Sequence, residues 1–144
     1  MDITYYGHNC FLIKKHESLL VIDPWFSEKG AFYGSWFQYP SNHHYKKSII
    51  RQIDYNKKSH IFITHEHQDH LDIEFIKSLK NKINIIIPKY SKNNYLLETL
   101  LKTGHNVSLL EEKKIKKIGE DLNIELLISD IGVNHDCAII ISDN

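Results

Sequence analysis

Apolar and polar residues alternate over short stretches at the start of the chain, and this sets the first elements. Residues 2–7 and 9–15 read as two strands of a hairpin, turned at Gly7-His8-Asn9, and 18–23 as a third strand. His60 to Thr64 and Ile83 to Pro88 are short continuous apolar runs, the pattern of strands buried on both faces. Between them, Ile73, Phe75, Ile76 and Leu79 follow helical spacing, and Asp72 stands where an N-cap belongs. Tyr45 to Ile53 reads as a short helix. Asn94 to Thr103 carries leucines at 96, 97, 100 and 101, a helical stripe stopped by Gly104. Further strands are expected near 106–110, 114–118, 122–128 and 136–142. Strands interleaved with helices make an α/β class, with one mixed sheet and helices on one side. Residues on both faces of 83–88 and 136–142 are apolar, so the other face of that sheet expects a cover.

One long segment breaks the pattern. Residues 24–45 hold Trp25, Phe26, Phe32, Tyr33, Trp36, Phe37, Tyr39 and Tyr45, punctuated by Gly30, Gly34 and Pro40. Its aromatic content argues against disorder. Two readings stand: a wall for a substrate, or a loop folded onto the core by its own aromatic rings.

The chemistry concentrates at residues 65–70, His-Glu-His-Gln-Asp-His. His65, His67, Asp69 and His70 fall between a strand end and a helix start, where a loop can aim several side chains at one point. Neutral imidazole and carboxylate are ordinary ligands for zinc and also suit manganese or iron. His65 and His67 are two apart and leave the strand end on one side. Asp69 and His70 reach a second point, so one or two ions are expected. Two ions roughly 3.5–4 Å apart would share and acidify a water, which Asp69 would orient or deprotonate as the catalytic carboxylate. Asp23, at the end of the third strand, reads as an acceptor that fixes the metal loop or a ligand imidazole; the alternative is a plain Asp-Pro turn. His8 is explained almost as well by its turn as by a place near the site. His43-His44 reads as an exposed pair.

His-x-His-x-Asp-His after an apolar strand and Thr64 resembles the signature of the metallo-β-lactamase-fold superfamily. The opening residues 3–13 and the run Leu19 to Trp25 resemble the branch that includes L-ascorbate-6-phosphate lactonase. Asp23-Pro24-Trp25-Phe26, then residues 30–36 and Pro40, are similar to the corresponding region of CMP-N-acetylneuraminate hydroxylases, and Asp136 to Ile141 also fits that group. The resemblance implies an αββα fold and a metal-activated hydroxide directed at an ester, lactone or phosphoester, with a sugar or nucleotide-sugar as substrate. It also implies ligands from a second half: an intermediate histidine, a bridging aspartate and a last histidine. Asp130 and His135 are the nearest candidates here, with His135 either the intermediate histidine or an ordinary loop residue. Residues 1–144 are therefore expected to form one domain equivalent to the N-terminal half, truncated at the C-terminus.

Composition narrows the alternatives. Lys+Arg and Asp+Glu are both 18, which disfavours a nucleic-acid surface. The basic stretch at 113–117 follows Glu111-Glu112 and reads as a solvated turn. No apolar run has the length of a membrane helix and no signal peptide opens the chain, so a cytoplasmic protein is expected. Cys10 and Cys137 form neither a disulfide framework nor a Rieske iron–sulfur motif. Three functions follow: a metal-dependent hydrolase of small molecules; a non-catalytic truncated or split chain that binds metal weakly or needs a complementing C-terminal half; and a metal-binding module without chemistry. An uncovered sheet face would favour a homodimer or that second half.

Overall fold

The computed structural model describes residues 1–90, 95–129 and 136–143. Nine strands and three α-helices lie among them: β1 Asp2–Gly7, β2 Cys10–Lys15, β3 Ser18–Ile22, α1 Lys46–Tyr55, β4 Ser59–Phe62, α2 Ile73–Lys77, β5 Asn84–Pro88, α3 Tyr95–Leu101, β6 Asn106–Leu110, β7 Ile115–Ile118, β8 Leu122–Ser129 and β9 Asp136–Asp143. The first six strands form one sheet in sequence order. β1, β2 and β3 run antiparallel as a meander, and β3 to β6 run parallel through helical crossovers. The mixed sheet with helices on one side is as expected.

The last three strands do not extend this sheet. They make a separate antiparallel sheet, β7-β8-β9. Side-chain alternation along the central strands shows why both sheets are needed. Leu19, Val21, Ile61, Ile63, Ile85 and Ile87 point toward Ile49, Ile53, Phe75, Ile76, Leu96 and Leu100 on the helices. Leu20, Ile22, Phe62 and Ile86 point the other way, onto Ile118, Leu122, Ile124 and Leu126 of the small sheet. The period of two that makes β3 and β5 apolar on both faces thus fills two cores. The expectation of an open inner face is corrected: β7–β9 cover it. The outward face of the small sheet carries Leu127 and Ile140 toward solvent.

Helix α2 starts as the sequence predicts. The Asp72 carboxylate accepts from Phe75 N–H at 2.9 Å and from Phe26 N–H at 3.0 Å. One buried side chain therefore caps the helix after the histidine loop and pins the start of the aromatic segment to it. No helix among the described residues is long and apolar enough to cross a membrane.

Ile124 is fully buried between the sheets. Ile124→Ala should therefore destabilise the chain by about 2–5 kcal/mol in denaturant unfolding. A cost under about 0.5 kcal/mol, usual for a surface position, would mean the small sheet does not pack as described.

Candidate metal centre

The parallel strands bring their C-terminal ends together at one rim of the large sheet. β3 ends at Asp23 and β4 runs on into Ile63 and Thr64. Asp23 N–H still bonds Phe62 C=O at 2.9 Å, so the carboxylate is held against the start of the histidine loop. Its backbone is left-handed (φ 40°), a conformation that aspartate tolerates better than most residues. The Asp23 side chain is 0% exposed.

Everything around that carboxylate donates to it. Thr64 N–H bonds Oδ1 at 2.8 Å. The Thr64 hydroxyl bonds Oδ2 at 2.7 Å, and the Asn9 amide bonds Oδ2 at 2.7 Å. His70 Nδ1 lies 2.7 Å from Oδ2. Hydrogen-bond bookkeeping then fixes two tautomers. His70 gives its Nδ1 proton to Asp23, so its Nε2 carries a lone pair. The Thr64 hydroxyl has spent its one proton on Asp23, so at 2.9 Å it accepts from His65 Nδ1. His65 Nε2 is therefore also a lone pair, and it lies 2.9 Å from His67 Nδ1. Burial, followed by the neighbouring His70 and His67, lowers the pKa of His65 and favours its neutral form.

The four residues singled out in the sequence lie together as two pairs. His65 and His67 form one, with ring centroids 4.5 Å apart. Asp69 and His70 form the other, with His70 Nε2 3.9 Å from Asp69 Oδ2. The His65 and His70 rings are 4.0 Å apart, so the pairs are adjacent. Asp69 is 13% exposed, and its Oδ1 is buried without a hydrogen-bond partner among the described residues. Asp69 and His70, with a buried carboxylate oxygen left unpaired, are residues that could hold a cation. His43 and His44 are exposed and stand apart from this cluster. Asp130 and His135 lie outside the described residues.

Three contributors were not singled out by the spacing of the motif. His8, from the β1–β2 turn, reaches Asp69 and His70. Thr64 relays the Asp23 charge to His65. The Tyr90 hydroxyl donates to Thr64 C=O at 2.9 Å and anchors the loop from the far side. Only the Gly7 ahead of His8 hinted at a special turn. The aromatic segment partly folds onto the core and partly stands free. Trp25, Phe26 and Ala31 are buried, whereas Tyr33 and Tyr39 are fully exposed. Phe32 sits edge-on to His67 at 6.1 Å, and its N–H bonds the Gln68 side chain. Cys10 is buried; burial, then the nearby Asp23 carboxylate, pushes its thiol up to about 12, so it packs as a neutral thiol. A separate cleft lined by Lys14, His16, Arg51, Tyr55 and Lys58 shares no residue with this centre.

Residues 2–136 match the family described as Beta-lactamase superfamily domain. The chain belongs to that family. Two solved structures share its fold: one described as a possible metal-dependent hydrolase from Veillonella parvula (TM-score 0.64, 15% identity, 99% of this chain and 59% of that one) and isothiocyanate hydrolase from Delia radicum gut bacteria (TM-score 0.65, 15% identity, 100% and 59%). Among curated proteins, one described as a Rieske 2Fe-2S iron–sulfur protein of Mycolicibacterium smegmatis is 31% identical over 91 residues, 62% of this chain. A Mycobacterium tuberculosis protein of the same description is 30% identical over 87 residues, 60% of this chain. Each match spans 16% of those longer proteins.

Thr64→Val keeps the shape of residue 64 but breaks the relay between Asp23 and His65. Zinc affinity measured against a competing chelator should fall about 10–100-fold, as it does when a partner of a metal ligand is lost. Unchanged affinity would show that the relay does not orient His65.

Proposed function

We propose that the chain is a metal-dependent hydrolase of the beta-lactamase superfamily, with zinc as its resident ion and a small ester, lactone or phosphoester as substrate. The observation that supports this most is the convergence of imidazole lone pairs and an orphaned Asp69 oxygen at one sheet rim. Mixed nitrogen and oxygen donors suit zinc, with manganese or iron as alternatives. His65 and His67 would hold one ion, and Asp69 and His70 a second. When bound, a divalent ion supplies Lewis acidity and acidifies a water at neutral pH.

The chain's own groups do the remaining work. Asp23 and Thr64 keep both Nε2 atoms deprotonated and aimed at the rim. Asp69 would orient or deprotonate a water held at the centre. Phe32 and Trp36 offer flat apolar faces beside His67 and His8, and a cleft of about 530 Å³ lined by Gly30, Tyr33, Gly34 and Gln68 opens next to them. Such a wall suits the face of a sugar or nucleotide-sugar, in line with the resemblance to the lactonase and sialate-hydroxylase branch. Two cysteines not joined in a disulfide fit a reducing compartment, and we place the protein in the cytoplasm.

A second reading rests on length. The chain spans 59% of each structural neighbour, so a segment it does not contain, in the same polypeptide or a partner, would supply further ligands. Metal content and turnover test the two together. The zinc-loaded chain should hydrolyse activated phosphodiesters or lactones, lose this activity to a chelator, and lose both activity and zinc in the His65→Ala/His67→Ala double variant. His43→Ala/His44→Ala should change neither. Stoichiometric zinc without turnover, with turnover restored by a complementing half, would favour the second reading. Absence of metal binding would refute both.

A further inference from the structure

We propose that His8, from the turn between β1 and β2, is the third protein ligand of the ion held by Asp69 and His70. The inference rests on the metal reading above and adds a residue to it. His8 Nε2 lies 3.0 Å from Asp69 Oδ2 and 3.2 Å from His70 Nε2, and those two atoms are 3.9 Å apart. Donors on a tetrahedral zinc, each roughly 2.0–2.1 Å from the ion, are separated by roughly 3.3 Å. The three measured sides bracket that value. They also define a point roughly 2.0 Å from all three donors, close to the plane of the three atoms and at the distance zinc keeps from such ligands.

The backbone is built to present this side chain. His8 has φ 49°, in the left-handed region that histidine tolerates better than most residues, directly after Gly7 at φ 103°. The next residue, Asn9, is tied to Asp23 at 2.7 Å, which fastens the turn to the same carboxylate that orients His70. The His8 ring is held edge-on between Trp25 at 5.5 Å and Trp36 at 6.1 Å, which restricts its rotation. His16 makes an instructive contrast. It has nearly the same backbone (φ 48°) in the β2–β3 turn, yet its ring only pairs with Asp121 at the surface. A turn needs no histidine aimed at two metal-binding side chains. The unpartnered Asp69 Oδ1 beside these donors points independently to a missing cation.

The test uses the full chain and zinc or cobalt(II). In wild type, zinc should shift the ring nitrogen resonances of His8 and His70 to metal-bound values in long-range proton–nitrogen spectra, and leave His16 unchanged. His8→Asn, which tolerates a left-handed backbone, should weaken the Asp69/His70 ion by roughly 100-fold or more, beyond the loss expected from an indirect partner. It should also dim the four-coordinate cobalt absorption of that ion. His8→Asp, which retains a ligand oxygen, should recover most of the affinity. His16→Asn should bind as wild type. If wild type binds zinc but His8 does not respond, His8 is a turn residue and the proposal fails while the metal reading stands. If His8→Asn unfolds, the wild-type spectra decide alone. If wild type binds no zinc, both fall together.

Discussion

One buried carboxylate organises this end of the molecule. Asp23 collects donors from Thr64, Asn9 and His70, all at 2.7–2.8 Å, in a place water does not reach. A buried charge is tolerated only when its lone pairs are filled, and the donors here come from both the β1–β2 turn (Asn9) and the loop after β4 (Thr64 and His70). Filling them therefore does structural and chemical work at once. It ties the β1–β2 turn to the loop after β4, and it dictates which imidazole nitrogen carries a proton. Without Asp23, four donors would face each other in a dry pocket, and neither His65 nor His70 would have a fixed tautomer.

Topology explains why such a residue is available. Parallel strands joined by helical crossovers all end on the same rim, and side chains there face a space no strand fills. β3 and β4 are neighbours, so the last residue of one sits beside the first loop residue of the other. Asp72 repeats the device a few residues on, bonding both Phe26 and Phe75. The two aspartates bracket the histidine loop, so the loop hangs from a frame closed at both ends. The apolar layers behind it, against the helices and against β7–β9, keep that frame from shifting.

Local periodicity explains most of what was legible in the sequence. Strands 2–7, 106–110 and 122–128, the helix after Asp72 and the position of the histidine loop between strand and helix are short-range patterns, and the structure places them where the pattern does. Partner choice is not short-range. Apolar residues on both faces of 83–88 and 136–142 say that something covers the sheet, but not that the last three strands form their own sheet and close the large one. His8 was equivocal for the same reason. Fifty-six or more residues separate it from the histidine loop, and only the pairing of β1 with β2, and of β3 with β4, brings its turn to the rim. The aromatic segment was legible as significant but not as divided. Trp25 and Phe26 lie next to a strand end and are drawn into the core, whereas Phe32 to Tyr39 are held out by tight turns and by the Phe32–Gln68 bond.

The crowding of imidazoles carries a consequence for the apo protein. His65, His67, His70 and His8 form a chain of contacts at 2.9–4.0 Å. Protonating more than one of them sets like charges side by side in a partly desolvated place, and the lowered pKa of His65 reflects this, after burial itself. In the neutral state these rings are instead joined by hydrogen bonds, His65 to His67 at 2.9 Å and His8 to His70 at 3.2 Å. A divalent cation held by these residues would replace those ring-to-ring bonds with bonds from each ring to the ion. Binding would not require ordering a loose loop, because Asp23, Asp72 and Tyr90 have fixed the loop beforehand. On this argument metal binding and folding reinforce each other: the ion stabilises only the state in which Asp23 is fully bonded, and that state is the one that presents the ligands.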